Sequence, residues 1–132
     1  MNQFDPSKKR ILIVEDEALI VDMYKEKLKF EGFRVASVMD GKKALTRAKQ
    51  GADLILLDIL MPGLNGFEVL KRLKSDKETQ QIPVIVFTNM GSELTDNDKS
   101  FALSLGAVDY MVKSLHTPDE VIDRIKTILT AE

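Results

Sequence analysis

The fold of this chain follows from residues 54–63, which read LILLDILMPG. Four apolar residues run without a break and then stop at a carboxylate, Asp58. An apolar run this short, closely followed by a turn, indicates a strand that is buried on both faces of a sheet. Met61-Pro62-Gly63 is typical of such a turn, because proline fixes one backbone angle and glycine frees the next. Asp58 is therefore predicted at the carboxyl end of a buried strand, where open α/β sheets bind ligands.

Length and composition narrow the class of protein. The 132 residues are enough for one domain with a sizeable core. Nineteen basic and 21 acidic residues give a net charge of −2, which argues against a general nucleic-acid footprint because such a footprint is basic. The lack of cysteine excludes disulfides and thiolate metal sites. The polar N-terminus has no signal-peptide core, and no apolar run approaches the roughly 20 residues of a membrane span. We expect a soluble cytoplasmic protein that binds neither nucleic acid directly nor a membrane.

The rest of the chain alternates apolar runs with amphipathic segments. Residues 1–9 are predicted to be a flexible lead-in, and residues 10–132 to be one domain. Strands are predicted at 11–14, 33–38, 54–57, 83–87 and 108–112, and an amphipathic helix follows each of them. Three helices are predicted to end at Gly32, Gly51 and Gly106. This alternation predicts an α/β fold with a doubly wound parallel sheet and helices on both faces.

Two helix starts carry capping signals. Asn65 and Glu68 have the spacing of a capping box, in which each side chain bonds the backbone N–H of the other residue. Thr117 and Glu120 have the same spacing, with Pro118 at the first helical position. These signals predict the starts of the third and fifth helices.

Polar residues stand where four of the strands end. Glu15 and Asp16 follow the first strand, Asp58 the third, Thr88 the fourth and Lys113 the fifth. Parallel strands bring these side chains to one edge, where two carboxylates at about 5 Å repel by roughly 3 kcal/mol at an effective dielectric near 20. Lys113 offsets part of this repulsion, and a divalent cation could offset the rest. An all-oxygen ligand set suits Mg²⁺.

The same residue types fit phosphoryl transfer. A carboxylate such as Asp58 can attack phosphorus and form an aspartyl phosphate. A metal ion and Lys113 would stabilise charge on the transferring oxygens, and the Thr88 hydroxyl would donate to one of them. Each of these residues taken alone also has an ordinary structural explanation, and only their combination favours this chemistry.

Six short motifs in a fixed order carry a family resemblance. They are VEDE at 14–17, LLDILMPG at 56–63, NG at 65–66, FT at 87–88, LGA at 105–107 and YMVK at 110–113. With these motifs the chain resembles the receiver domains of response regulators of the CheY type, over residues 11–130. The resemblance implies a five-stranded sheet of order 2-1-3-4-5 flanked by five helices, an order that is known for this fold.

The resemblance also implies a function for the strand ends. Asp58 would receive a phosphoryl group from a sensor histidine kinase or a phosphotransfer protein. Mg²⁺ (or Mn²⁺) would be held by Glu15, Asp16, Asp58 and the backbone carbonyl of Leu60. The domain would be a signalling switch and not an enzyme, since it would catalyse only its own phosphorylation and dephosphorylation.

A switch of this kind needs a movable pair and an output surface. The resemblance assigns the pair to Thr88 and Tyr110, with Thr88 moving toward the phosphate and Tyr110 turning inward behind it. It assigns the output to the face formed by the fourth helix, the fifth strand and the fifth helix. A downstream effector or an output domain would bind there, to a monomer or to a phosphorylation-dependent dimer.

Two features depart from the family's pattern. Ser114 follows Lys113 where family members usually have proline, and a cis bond before a non-proline residue costs about 2.5–4 kcal/mol. The sequence therefore leaves open how the loop aims Lys113. The segment between Thr88 and Gly106 is also longer than in compact members, which leaves open the start of the fourth helix.

Two other functions fit parts of the sequence. A receiver-like protein-binding module that is not phosphorylated is supported only by Ser114. An aspartyl-nucleophile phosphohydrolase usually carries a second aspartate two positions after the first, where this chain has Leu60. The phosphoacceptor interpretation is therefore preferred.

Overall fold

Five parallel strands form one sheet in a computed structural model that describes residues 4–61, 65–88 and 96–131. The order is β2-β1-β3-β4-β5, and each neighbouring pair is parallel. The strands are β1 Arg10–Val14, β2 Arg34–Val38, β3 Leu54–Leu57, β4 Val84–Thr88 and β5 Asp109–Val112. The helices are α1 Ala18–Phe30, α2 Gly41–Lys49, α3 Gly66–Ser75, α4 Asp96–Ser104 and α5 Pro118–Thr130. The predicted fold class and strand order are confirmed, whereas Pro62 and Gly63 of the predicted turn lie outside the described residues.

The central strands are buried on both faces, as the apolar run at 54–57 predicts. Successive side chains of a strand point to opposite faces, so β3 sends Ile55 and Leu57 into one core and Leu54 and Leu56 into the other. The first core lies under α2, α3 and α4, and the second lies under α1 and α5. Burial of each such side chain contributes about 1.5–3 kcal/mol, so this sheet holds the strand ends in fixed positions.

Three helix-to-strand joints use the predicted glycines. Gly32, Gly51 and Gly106 have φ values of +97°, +112° and +110°. Residues with a Cβ rarely adopt this left-handed conformation, whereas glycine does so without strain. The repeated joint therefore turns the chain from a helix back into the sheet.

The two predicted capping boxes differ in outcome. At α5 the Glu120 N–H donates to Thr117 Oγ1 (3.2 Å) and the Thr117 N–H donates to Glu120 Oε1 (2.9 Å), so the box is complete. At α3 the Asn65 side chain accepts the Phe67 N–H at 2.7 Å. The predicted partner of Asn65 was the Glu68 N–H, and Glu68 itself accepts from Arg72 Nε at 3.2 Å. The predicted box at α3 is therefore wrong in both of its bonds, although the helix does start at Gly66. A side chain one turn along the helix competes for the Glu68 carboxylate.

Residues 4–9 lie against the sheet. Pro6–Lys8 form a 3₁₀ turn capped by Asp5, and the Phe4 ring centroid lies 5.9 Å from that of Phe33. The division into a lead-in and a domain from residue 10 stays a prediction. Among the described residues, none of the helices has both the length and the apolar character that a membrane crossing requires.

Candidate functional site

The strand register brings the predicted polar residues to one edge of the sheet. Val14 of β1 lies opposite Leu57 of β3, so the residues that follow, Glu15 and Asp58, leave the sheet at the same level. The Asp58 N–H continues the ladder by donating to the Val14 carbonyl at 3.0 Å. The backbone of both acidic residues is thus held by the same bonds that hold the sheet.

Three carboxylates converge at this edge. Glu15, Asp16 and Asp58 each offer one oxygen, and these oxygens lie within 4.8 Å of one another. Glu15 and Asp58 are only 2% and 4% exposed, and Asp16 is half-buried. The structure therefore brings together acids from the ends of two separate strands, as the sequence predicts.

This cluster fits a divalent cation. Glu15 Oε2 is buried and has no hydrogen-bond partner within the described part of the chain. A buried acceptor without a partner costs about 1–3 kcal/mol, and a bound cation would remove this cost. The donor set consists of carboxylate oxygens, which are the ligands that Mg²⁺ prefers. A magnesium-type ion is thus the group that this cluster would hold.

Lys113 lies between two of the carboxylates. Its Nζ hydrogen-bonds Glu15 Oε1 and also Asp58 Oδ2, the latter at 3.1 Å, and its side chain is 9% exposed. The ammonium also lies 5.5 Å from the centroid of the Phe87 ring. The Lys113–Ser114 peptide is trans, and Lys113 begins a 3₁₀ turn directly after β5. Lys113 therefore reaches both carboxylates without a proline after it.

The two oxygens of Asp58 have different partners. Oδ1 accepts the backbone N–H of Leu60 at 2.9 Å, while Oδ2 accepts from Lys113. The Leu60 side chain is 54% exposed at the rim of the site. These two bonds fix the plane of the Asp58 carboxylate, whereas the role of the Leu60 carbonyl as a metal ligand stays a prediction.

Burial shapes the proton affinities of the site. Burial, and after it the neighbouring Asp58 carboxylate, raise the pKa of Glu15 to about 8, although Lys113 opposes the shift. Burial alone would lower the pKa of Lys113, but the neighbouring Glu15 and Asp58 outweigh it and raise the pKa above its usual value. The metal-free site therefore tends to hold an extra proton, which a divalent cation would displace.

Two buried hydroxyls lie beside the acidic cluster on neighbouring strands. Thr88 ends β4 opposite Val112, and Tyr110 lies opposite Val86. Thr88 and Tyr110 are 0% and 7% exposed, and neither Thr88 Oγ1 nor the Tyr110 hydroxyl has a partner among the residues described. Burial and the charge of Asp98 raise the pKa of Tyr110. Both groups are thus neutral donors that are free to take an acceptor.

Gly66 is a structural requirement that the chemistry-based reasoning missed. A Cβ at this position would lie 2.2 Å from the Cα of Ile59, which directly follows Asp58. Only a glycine allows the start of α3 to pack this closely on the backbone after β3. The Asn-Gly pair at 65–66 is the signal that could have pointed to this contact.

Comparisons with known proteins identify the class of protein. Residues 11–126 match the sequence profile of the response regulator receiver domain. The chain therefore belongs to the response-regulator receiver family of two-component systems, as the resemblance in its motifs predicts.

Individual relatives agree with this class. The transcriptional regulatory protein CpxR of Klebsiella pneumoniae is 42% identical over 120 residues, which cover 91% of this chain and 49% of that protein. This chain spans about half the length of the curated relatives it matches. A CheY-like receiver domain protein from Methanospirillum hungatei superposes with a TM-score of 0.83 at 30% identity, covering 93% of this chain and 94% of that one.

A third relative has a metal-bound structure. The receiver domain of the sensor histidine kinase PA1611 from Pseudomonas aeruginosa has a TM-score of 0.80 at 25% identity, with 92% of this chain and 98% of that one covered. Its structure has a magnesium ion coordinated in the active site cleft.

Proposed function

We propose that this receiver domain is a phosphoacceptor switch and that Asp58 takes a phosphoryl group from a phosphohistidine. The donor would be a sensor histidine kinase or a phosphotransfer protein. The observation that supports this most strongly is the buried Asp58 carboxylate, which lies among two further acids and one lysine at the carboxyl end of β3. A structural aspartate would not need such a cluster, because burying like charges together is unfavourable.

The reaction at Asp58 is a displacement at phosphorus. A carboxylate oxygen forms the new P–O bond, the P–N bond breaks, and the imidazole nitrogen of the donor keeps the electron pair. Leu60 N–H and Lys113 hold the carboxylate plane before the attack. Lys113 then neutralises charge on the transferring oxygens, and Thr88 donates its free hydroxyl to one of them. The chain thereby supplies orientation and charge, which are the main needs of phosphoryl transfer.

Glu15, Asp16, Asp58 and the Leu60 carbonyl would hold the cation. The ion would be Mg²⁺ or Mn²⁺, since both accept oxygen ligands. When bound it offsets the repulsion between the carboxylates and stabilises negative charge on the phosphoryl group. The unpartnered Glu15 oxygen and the magnesium ion in the PA1611 receiver support this assignment.

Phosphorylation would be read through Thr88 and Tyr110. A phosphoryl oxygen would accept from Thr88, and the movement of this side chain would leave space into which Tyr110 packs. The phosphorylated and unphosphorylated domains would thus differ in the positions of Thr88 and Tyr110. This difference would alter the face formed by α4, β5 and α5, where a downstream effector or an output domain binds. The two buried hydroxyls without partners support this coupling, because each can adopt a new acceptor without breaking an existing bond.

The domain turns over no external substrate and catalyses only the gain and loss of its own phosphate. It works in the cytoplasm, as a monomer or as a dimer that forms on phosphorylation.

The test is incubation with acetyl phosphate and Mg²⁺ followed by intact mass measurement. We expect the wild-type chain to gain the mass of one phosphoryl group, and Asp58→Asn to gain none. Asp123→Asn is the matched control, since Asp123 is an exposed aspartate on α5, and it should be modified like the wild type. No gain in wild type under conditions that modify another receiver would contradict the proposal and favour an unphosphorylated binding module.

A further inference from the structure

A groove between α1 and α5 lies outside the site described above. It encloses about 660 Å³, which falls within the range of about 300–1,000 Å³ that is usual for ligand pockets. One stripe of each helix lines it, with Met23 and Phe30 from α1 and Ile122 from α5 as its large apolar residues. Residues three and four positions apart share a helix face, so both stripes run along the groove.

The apolar residues of this groove differ widely in exposure. Phe30 is 88% exposed, the highest value among the large hydrophobic residues that the structure describes. Ile122 is only 4% exposed and forms the floor, and Met23 packs partly against the core beneath α1 and α5. An isolated exposed apolar residue needs no explanation, but Phe30 borders a concave surface with an apolar floor.

The charges around the groove are mainly acidic. Two ion pairs join α5 to α1 and to the residue that follows α1: Lys27 with Asp119 at 3.7 Å, and Lys126 with Glu31. Each pair neutralises one lysine next to the groove.

Two acids on the groove have no ion-pair partner within the described part of the chain. Glu26 and Asp123 both line it, and no cationic group of the described residues lies within ion-pair distance of either one. Both side chains are exposed. The groove thus combines an apolar floor with negative walls.

We propose that this groove binds a basic amphipathic helix of a partner protein. A third helix can pack its apolar face into the groove between two helices that lie side by side. Lysines or arginines flanking that face would pair with Glu26 and Asp123. A second copy of this chain fits less well, because a two-fold contact would bring the same unpaired acids of both copies onto one interface.

The test uses the full chain, labelled with ¹⁵N, and two synthetic helical peptides. Each peptide has about 18 residues, long enough to form a helix, with one leucine face and an opposite face of either lysine or glutamate. We expect the leucine–lysine peptide to shift the amide signals of Met23, Phe30 and Ile122 in particular. The leucine–glutamate peptide should leave them unchanged.

Matched variants make the test specific. Phe30→Ser and the pair Glu26→Gln with Asp123→Asn should each weaken binding at least about fivefold, as expected for contacts that matter. Leu103→Ser, on α4 across the sheet, and Glu78→Gln should bind like the wild type. Amide spectra without peptide would verify that each variant is folded. Shifts scattered over the surface, equal binding by all variants, or Phe30-dependent self-association in sedimentation would each overturn the proposal.

Discussion

Replacement of Lys113 by methionine tests whether the buried charges form one electrostatic unit. Methionine keeps most of the apolar stem and removes the ammonium. Lys113 Nζ is 3.1 Å from Asp58 Oδ2 and also bonds Glu15. At an effective dielectric near 20, the attraction to Asp58 alone is about 5 kcal/mol before any desolvation is counted.

The net loss should be smaller than this attraction. Breaking a buried pair by removal of one partner costs about 3–5 kcal/mol, since the other charge is left uncompensated. A proton on Glu15, whose pKa is already raised to about 8 by burial, relieves part of the new repulsion. We therefore expect Lys113→Met to lower the free energy of unfolding by about 3 kcal/mol at neutral pH without metal.

Urea unfolding in EDTA and again in saturating Mg²⁺ would measure this loss. A cation that shares the site replaces part of the missing charge, so Mg²⁺ should stabilise Lys113→Met more than it stabilises the wild type. Lys49→Met is the matched control, because Lys49 pairs with Asp76 at 3.3 Å on the surface. It should lose less than about 1 kcal/mol and show no added response to Mg²⁺. Two results would refute the reasoning. One is a loss of unfolding free energy below about 1 kcal/mol for Lys113→Met. The other is a difference in stability between the wild type and this variant that Mg²⁺ leaves unchanged.

Three further predictions concern stability. Burial and the neighbouring Asp58 carboxylate raise the pKa of Glu15 from 4.5 to about 8, so the folded metal-free chain binds this proton more tightly than the unfolded chain. Its free energy of unfolding should therefore fall between about pH 5 and pH 8. Urea titrations in EDTA should show a flatter slope for Glu15→Gln, and an equal slope in both proteins would contradict the assignment. Gly66→Ala places a Cβ 2.2 Å from the Ile59 backbone, so calorimetry should show a loss of at least about 2 kcal/mol, as for an overpacked site; a wild-type melting temperature would argue against this contact. Thr117→Ala removes the hydroxyl of the α5 capping box and should cost about 1 kcal/mol in urea, whereas Thr117→Ser should restore most of that loss.

The elements of the fold could be predicted because their signals are local. The apolar run at 54–57 is buried on both faces as predicted, and the Gly51 joint that precedes it has the expected positive φ. The capping box at α3 was predicted wrongly because Arg72, one turn along the helix, takes the Glu68 carboxylate. Local pattern decides which element forms, but competition between nearby side chains decides its individual bonds.

The site could be predicted only as a set of residue types at strand ends. The order of the strands brings Glu15 and Lys113 together across 98 positions of sequence, and periodicity alone does not determine that order. One of the two Asp58 oxygens accepts from the backbone N–H of Leu60. Every residue except proline has such a group, so the residue type at position 60 does not predict this bond. Ion pairs between α1 and α5, such as Lys27 with Asp119, likewise depend on helix packing.

The most direct test of the account is to locate the phosphoryl group on the chain. After incubation with acetyl phosphate and Mg²⁺, borohydride reduces an aspartyl phosphate to homoserine, and peptide sequencing by mass spectrometry then identifies the modified position. The account predicts homoserine at position 58 alone, and none when EDTA replaces Mg²⁺. Homoserine at position 16 or at another aspartate, or phosphate carried only on side chains that borohydride does not reduce, would contradict it.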